Sequence, residues 1–419
     1  MAKIDDSVKK KVPELRFKGF TDEWEERKLG ELASFSKGNG YTKNDLVEFG
    51  EPIILYGRLY TKYETVIEKV DTFVNKKDKS IISEGSEVIV PASGESSEDI
   101  SRASVVGKSG IILGGDLNII KPVNYIDSIF LALTISNGSQ QKEMSKRAQG
   151  KSVVHLHNSD LKQVNLLYPK LEEQQKIGSF FKQLDITIAL HQRKLDLLKE
   201  QKKGYLQKMF PKNGAKVPEL RFAGFADDWE ERKLGEIGSF KNGMNFGKDA
   251  MGHGSPFVNL QNIFGKNIVD DTTLELAEST EKQKVEYSLI KGDVLFIRSS
   301  VKPSGVGEAA LVDSNLPDTT YSGFIIRFRP KIDIDNNFKR FVFGTKYVRN
   351  QIMARATSSA NTNINQDSLS LIQVGLPNLK EQEKIGSFFK QLDDTIALHQ
   401  RKLDLLKEQK KGFLQKMFV

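Results

Sequence analysis

The chain has 419 residues, enough for two or three domains at about 150 residues each. It contains no cysteine, which excludes disulfide scaffolds, cysteine nucleophiles and Cys-ligated zinc. Its 63 Lys and Arg outnumber its 55 Asp and Glu, and the net charge of +8 permits a polyanionic partner without establishing one. No run of about 18 apolar residues is present, so we expect no membrane span, and the first residues lack the apolar core of a signal peptide.

The chain begins with a predicted flexible arm, residues 1–11, which carries three consecutive lysines. A globular domain is predicted over 12–170. Within it, apolar and β-branched runs predict strands at 52–55 and 87–90, and a helical pattern covers 128–146. Gly- and Ser-rich loops separate these elements, which is typical of a mixed α/β fold.

A long helix is predicted to follow over 171–210. Its apolar residues alternate in steps of four and three, the heptad spacing of a coiled coil, interrupted by His191 and Lys202. The apolar seam residues are Ile177, Phe181, Leu184, Ile188, Leu195 and Leu198. We interpret His191 as a polar seam residue that fixes register, although a metal ligand or a pH sensor is the alternative.

After this helix the same plan recurs. Residues 211–216 contain Pro and Gly, which cannot continue a helix, and form the predicted linker. A second mixed α/β domain is predicted over 217–378, with strands at 293–297 and 324–328 and a helical pattern at 338–355.

A second seam helix is predicted over 379–419. It matches the first helix at 36 of 40 positions with an offset of 208 residues. Its apolar seam residues are Ile385, Phe389, Leu392, Ile396, Leu403 and Leu406. Two equal seams in one chain most simply pair with each other, so we expect an antiparallel coiled coil.

The domain edges repeat as closely as the helices do. Residues 12–30 and 217–235 are identical at 16 of 19 positions, and Trp24 and Trp229 occupy equivalent sites, where packing anchors are expected. The interiors share almost no identity. The sequence therefore predicts two globular α/β domains in a pseudo-twofold arrangement, separated by two long helices. A recent duplication with drifting interiors is the alternative.

Motifs for intrinsic catalysis are missing. Two Gly-Lys-Ser sequences lack the upstream glycine of a P-loop, since Arg102 and Ser145 occupy its place. No Pro-Pro occurs for a methyltransferase catalytic loop, and Pro317-Asp318 is not followed by the acidic-x-Lys strand of a nuclease. Only five His are present, two of them on the seams, so no catalytic residue and no metal site is predicted.

The repeated segments resemble the specificity subunits of type I restriction–modification enzymes. The resemblance covers nearly the whole chain. It is carried by Trp24-Glu25, Leu29-Gly30, Pro169 to Ile177 and Leu206 to Phe210, and by their repeats Trp229-Glu230, Leu234-Gly235, Pro377 to Ile385 and Leu414 to Phe418.

The resemblance implies a protein that itself catalyses nothing. Each variable interior would be a target recognition domain that reads one half of a split double-stranded DNA sequence, and the paired helices would set the spacing. Two modification subunits would dock on the edges and helices and use S-adenosylmethionine, while restriction subunits would use ATP and Mg²⁺. Such a complex works in the bacterial cytosol, on nucleoid DNA.

DNA contacts in variable interiors cannot be transferred from relatives, so we selected them by chemistry. Arg, Lys, Asn, Gln, Ser and Tyr on loops after strands can reach phosphates and base edges. In the first interior the candidates are Arg58, Tyr60, Lys62, Ser93, Ser96, Arg102, Arg147 and Lys151. In the second they are Gln261, Asn262, Lys266, Arg298, Ser299, Lys302, Arg355, Asn361 and Asn363. At each position a solvated loop residue is the alternative.

Two other functions compete with DNA recognition. A coiled-coil scaffold that binds only protein would also need paired helices and no catalytic motif. An enzyme with an unrecognised active site is the third possibility. Salt-dependent DNA binding distinguishes DNA recognition from the protein-only scaffold, because contacts to DNA phosphates weaken as the salt concentration rises.

Overall fold

The computed structural model describes residues 12–150, 153–212, 215–245, 247–358 and 361–418. The predicted flexible arm lies outside the described residues. None of the described helices combines the length and apolar character that crossing a membrane would require.

The chain divides into two compact units. The first unit joins Met1–Arg193 to Arg401–Val419, and the second unit is Lys194–Gln400. The two long helices are Leu171–Lys208 and Leu379–Met417. Each helix therefore contributes one part to each unit.

The first unit contains short strands and helices around one main sheet. Its strands are Glu25–Lys28, Ala33–Lys37, Leu46–Val47, Glu51–Ile54, Val66–Ile67, Phe73–Val74, Val88–Pro91, Ser93–Gly94, Ser104–Val106, Ile112–Leu113, Leu117–Pro122, Val154–His155 and Asn165–Tyr168. Its shorter helices are Leu29–Leu32, Arg58–Thr61, Ser97–Ile100, Ser128–Ile135, Gly138–Arg147 and Asn158–Leu161, with a 3₁₀ turn at Lys43–Asp45.

The second unit has a related set of elements. Its strands are Glu230–Lys233, Gly238–Asn242, Met251–Val258, Glu275–Ala277, Val294–Ile297, Ser299–Ser300, Ala309–Leu311, Thr320–Tyr321, Ile325–Pro330, Thr357–Ser358, Thr362–Asn363 and Gln373–Leu376. Its shorter helices are Leu234–Ile237, Glu281–Glu286, Asn336–Val342, Lys346–Arg355 and Gln366–Ser370, with 3₁₀ turns at Lys248–Ala250, Leu260–Asn262 and Pro303–Gly305.

The main sheets of the two units share one framework. In the first unit the strand order is Ala33–Lys37, Leu117–Pro122, Val88–Pro91, Ser104–Val106 and Val66–Ile67. In the second unit it is Gly238–Asn242, Ile325–Pro330, Val294–Ile297 and Ala309–Leu311. The first four strands correspond at offsets of 205 to 208 residues, although their interiors share almost no identity. The predicted mixed α/β fold is thus confirmed.

The accessory sheets differ between the units. The first unit adds a four-stranded sheet that includes Glu51–Ile54, whereas the second adds a three-stranded sheet around the longer strand Met251–Val258. The interiors therefore keep a common scaffold and vary in what is attached to it.

Each predicted interior helix is in fact two helices. In the first unit the chain leaves the helix after Ile135 and restarts at Gly138, whose φ of +67° is unstrained only for glycine. In the second unit, Gly344 follows the first helix and the Thr345 hydroxyl accepts the N–H of Val348 to cap the next. The apolar periodicity continues across each break, but local turn residues interrupt the helix.

The two tryptophans are packing anchors, as predicted. Trp24 is 2% exposed, and its ring centroid lies 5.6 Å from that of Phe130, which in turn contacts Phe418 at the end of the chain. In the second unit, Trp229 lies 6.0 Å from both Phe338 and Phe210, whose rings also contact each other. A phenylalanine just beyond the end of one long helix therefore completes each core.

Buried ion pairs attach the repeated edges to the long helices. The Arg16 guanidinium donates to both oxygens of Glu173 at 2.9 and 2.7 Å, and Glu173 is 1% exposed. Arg221 makes the same two-pronged pair with Glu381, with both distances at 2.7 Å. These ion pairs account for the arginine and the glutamate that both repeats carry at these positions.

The residues of the predicted heptad seam are buried or half-buried in both long helices. In the first helix Ile177, Phe181, Leu195 and Leu198 are buried, while Leu184 and Ile188 are half-buried. In the second helix Ile385, Phe389 and Leu403 are buried, while Leu392, Ile396 and Leu406 are half-buried.

The helices pair antiparallel within each unit. In the first unit, Phe180 packs edge-on against Phe413 at 5.1 Å, and further along, Asp185 pairs with Lys410. From the first contact to the second, the residue number increases along the first helix and decreases along the second helix. The two helices are therefore antiparallel.

The second unit shows the same direction. Lys202 pairs with Asp393, and Tyr205 packs edge-on against Phe388 at 5.1 Å. All four residues correspond to those of the first unit at an offset of 208, with the two helices exchanged.

Candidate nucleic-acid interface

A small sheet extends the main sheet of each unit. The buried strand Val88–Pro91 is followed by Ser93–Gly94, which pairs with Val154–His155. In the second unit, Val294–Ile297 is followed by Ser299–Ser300, which joins a three-stranded small sheet. A rigid buried strand thus presents a short polar strand and its loops in both units.

The small sheet of the second unit brings several predicted residues together. Ser299 pairs with Asn363, and Ser300 with Thr362. The side-chain amide of Asn363 donates to the backbone oxygen of Asn361 at 2.9 Å. Segments distant in the sequence therefore form one polar surface.

The cations of this surface lack carboxylate partners among the described residues. Arg298 donates to the backbone oxygen of Gly323 at 3.2 Å, and Arg355 to that of Gln351 at 3.3 Å. The Lys302 ammonium is exposed and makes neither an ion pair nor a hydrogen bond within the described ranges. The segment 298–307, which includes the strand Ser299–Ser300 and the loop after it, contains Arg298 and Lys302 and no Asp or Glu, while Arg355 ends the helix Lys346–Arg355.

The first unit has a more mixed surface at the corresponding place. Ser93 is buried in the small sheet, and the Ser96 hydroxyl bonds Asp99 and caps the helix Ser97–Ile100. Arg102 is half-buried and makes no hydrogen bond or ion pair in the described part of the chain.

Arg147 is bound by its own helix. Its guanidinium donates to Glu143, one turn earlier, with 2.8 Å as the shorter distance, and also to the backbone oxygen of Gln163. Lys151 lies outside the described residues.

A separate group near Arg58 is internally neutralised. Arg58 donates to Asp71 at 2.6 Å and to Glu64 at 2.7 Å, with its side chain only 9% exposed. Lys62 also pairs with Asp71, and these two cations hold the pKa of Asp71 at about 2. Tyr60 stacks edge-on against Tyr56, and burial raises the pKa of its hydroxyl. Phosphate contacts by this group would require breaking existing ion pairs.

A third group, in the second unit, is also satisfied within the protein. Asn262 is fully buried and donates to the backbone oxygens of Asp270 and Thr273. Gln261 donates to Glu275 at 3.0 Å. Lys266 pairs with Asp270 at 2.7 Å and lowers the pKa of that carboxyl. That these residues contact DNA remains a prediction. The small sheets are better placed to contact DNA.

One feature beside this surface is apolar and was not among the predicted contacts. Phe264, Val301 and Phe324 are 41%, 82% and 56% exposed, and all three line one cleft beside the small sheet of the second unit. The available signal was Val301, an isolated apolar residue within the polar loop Arg-Ser-Ser-Val-Lys-Pro-Ser.

The sequence of both repeats matches one known family. The model described as type I restriction modification DNA specificity domain matches residues 21–200 and again 226–408. The chain belongs to this family.

Relatives of this specificity family match along most of their length. The type I restriction enzyme MjaVIII specificity subunit of Methanocaldococcus jannaschii is 22% identical over 403 residues, covering 94% of this chain and 91% of the relative. The putative MjaX specificity subunit of the same organism is 24% identical over 417 residues, covering 94% and 92%.

A solved structure shows the same fold. The type I restriction–modification S subunit from M. genitalium aligns with a TM-score of 0.60 and 16% identity, covering 97% of this chain and 99% of that one. The two family matches correspond to the two repeats, each of which includes one interior and most of one long helix.

Proposed function

We propose that each unit of this specificity subunit reads one half of a bipartite, asymmetric DNA target. The observation that carries the proposal is the repetition of one sheet framework with two different small-sheet surfaces. The shared sheet framework is consistent with the same function in both units, and the different small-sheet surfaces are consistent with recognition of different DNA sequences. Because the recognition surfaces of the two units differ, we expect the two half-sites to differ and the target to be non-palindromic.

The paired helices set the spacer between the half-sites in this account. The first long helix has 38 residues, roughly 57 Å at about 1.5 Å per residue. That length exceeds one turn of DNA, about 34 Å. Seam packing keeps the two helices in register with each other, as a fixed spacing requires.

Two modification subunits are the proposed protein partners. Each unit exposes an equivalent pair of leucines, one from each long helix: Leu190, 60% exposed, and Leu405, 58%, in the first, and Leu197, 49%, and Leu398, 60%, in the second. These leucines are equivalent at an offset of 208. Identical surfaces suit two copies of one partner.

The chemistry belongs to the partners in this proposal. S-adenosylmethionine would be used by the modification subunits, and ATP with Mg²⁺ by the restriction subunits, with no cofactor bound by this chain. The complex would act on DNA in the bacterial cytosol. Incubating the purified chain alone with DNA and S-adenosylmethionine tests this assignment, and methyl transfer by the chain alone would reject it.

Salt-dependent DNA binding tests the central function. The chain, purified with its modification partner, should bind a selected duplex more tightly than a scrambled one. The logarithm of its affinity should fall linearly with the logarithm of salt concentration, because phosphate contacts release counterions. A complex that assembles fully but shows neither sequence preference nor salt dependence would instead be a protein scaffold.

A further inference from the structure

A cleft of about 390 Å³ lies beside the small sheet of the second unit. We call it the apolar cleft; its lining residues are Leu260, Phe264, Ser299, Ser300, Val301, Lys302, Phe324 and Asn361. A single exposed apolar side chain needs no explanation, but three that converge on one cleft form a binding surface.

The walls of the apolar cleft are held by backbone contacts. The backbone oxygen of Phe324 accepts the N–H of Arg298 at 2.7 Å, and the N–H of Phe264 donates to Leu260 at 2.8 Å. At Gly305 a Cβ atom would lie 2.6 Å from the Phe264 ring, so the loop after Val301 is closely packed against it. The cleft is therefore preformed, which lowers the entropy cost of binding.

The charges around the cleft favour a polyanion. Lys302 lines the cleft, and Arg298 directly precedes its lining residue Ser299, in a segment, 298–307, that contains no Asp or Glu. Ser300 adds a hydroxyl and Asn361 an amide at the rim. An apolar peptide needs no such cationic border, whereas duplex DNA offers phosphates beside its base edges.

The DNA major groove offers one apolar group at its base edges, the C5-methyl of thymine. We propose that the apolar cleft reads a thymine methyl in the half-site of the second unit. Val301 and Phe324 are the specificity-determining residues, and Lys302 contacts a neighbouring phosphate. This inference rests on the proposed function and adds to it a base and the atoms that read it.

The first unit has no equivalent cleft-forming residues in its loop. Residues 93–102 contain Glu95, Glu98 and Asp99, and the one large apolar residue there, Ile100, is fully buried. The loop 93–102 thus gives no reason to expect a methyl-reading surface in the first half-site.

Replacing thymine by deoxyuridine tests the proposal without altering the protein, because the change removes only the methyl group. Duplexes are first selected from a random library with the full chain in complex with its modification partner. Each thymine of the selected sequence is then replaced singly, and affinity is measured at one salt concentration. At least one replacement in the second half-site should weaken binding about fourfold, the contribution of one buried methyl.

Protein variants identify the reader. In Val301→Ala and Phe324→Ala, thymine and deoxyuridine should bind within a factor of about two of each other, since the methyl has lost its contact. Val285→Ala is the matched control: it is 78% exposed, lies on the helix Glu281–Glu286, and should keep the fourfold difference.

The outcomes separate this inference from the proposed function. Sequence-specific binding that tolerates every deoxyuridine, or a second half-site with no thymine on either strand, overturns the inference and leaves the function intact. The inference is also overturned if Val301→Ala and Phe324→Ala lose the modification partner while keeping the fourfold difference, since the cleft would then bind protein. Absence of any sequence preference rejects the function, and the inference with it.

Discussion

The Lys202 ammonium lies 2.5 Å from a carboxylate oxygen of Asp393, joining the two long helices within the second unit. Asp393 also accepts hydrogen bonds from Asn267 at 3.3 Å and from Arg340 at 3.4 Å. This carboxylate therefore ties the helix pair to the variable interior. Lys202, which interrupts the apolar seam in the sequence, is a paired residue in the structure.

Removing Asp393 should cost more than removing Lys202. Asp393→Ala leaves Lys202 and Arg340 partly buried without their carboxylate and should lower the free energy of unfolding by about 2–4 kcal/mol. Lys202→Met keeps the Arg340 contact and should cost about 1 kcal/mol. Urea unfolding measures both, with Lys203→Met, whose side chain is 68% exposed, as the control. Equal losses for the two variants would contradict the central position of Asp393.

Lys339 should give the second unit a pH-dependent stability. Its ammonium is buried and donates to the backbone oxygen of Gly292 at 2.8 Å, and burial lowers its pKa to about 8. In an unfolded chain a lysine has a pKa of about 10.4. Between these values the unfolded chain holds a proton that the folded chain has released, so the free energy of unfolding rises with pH.

The measurement compares wild type with Lys339→Met between pH 7.5 and 9.5. The wild type should gain about 2 kcal/mol relative to the variant over this range. Below pH 7.5 the difference should level off, because lysine is then mostly protonated in both states. A constant difference, or one that falls with rising pH, would contradict the lowered pKa.

The exposed leucines should determine how many modification subunits bind. Leu190→Gln with Leu405→Gln removes the apolar pair of the first unit and should reduce the bound partners from two to one, measured by native mass spectrometry. Changing Leu197 and Leu398 as well should leave none. Val153→Gln, at a residue 50% exposed in the first interior, is the control and should keep both partners. Two partners on the fourfold variant would place the docking surface elsewhere.

Lengthening the helices should lengthen the spacer. A heptad inserted after Arg193 and another after Gln400 preserve the seam and add about 10 Å, roughly three base pairs. The spacer in the methylated sequence should grow by about three base pairs with both half-sites unchanged. Inserting only one heptad misaligns the seam and should abolish methylation. An unchanged spacer with the double insertion would reject the helices as the spacing element.

The sequence predicted the architecture well because the repeats constrain it strongly. The seam from Ile177 to Leu198 and the packing of Trp24 followed from periodicity and from matching copies. The break at Gly138 was not predicted, because apolar periodicity continues across it.

Long-range pairing was the least predictable property of the candidate site. Nothing near Arg58 in sequence signals that Glu64 and Asp71 converge on its guanidinium, whereas Lys302 has no such partner in the described ranges. The apolar cleft was also missed, because a search for polar DNA contacts passes over Phe324.

Methylome sequencing after an interior exchange tests the modular reading of DNA most directly. Residues 41–150 are replaced by the corresponding interior of another family member, and the host carries the chimera with its modification subunit. We predict that one half of the methylated target changes while the other half and the spacer stay as before. A target that changes in both halves, or in neither while methylation continues, would contradict the account.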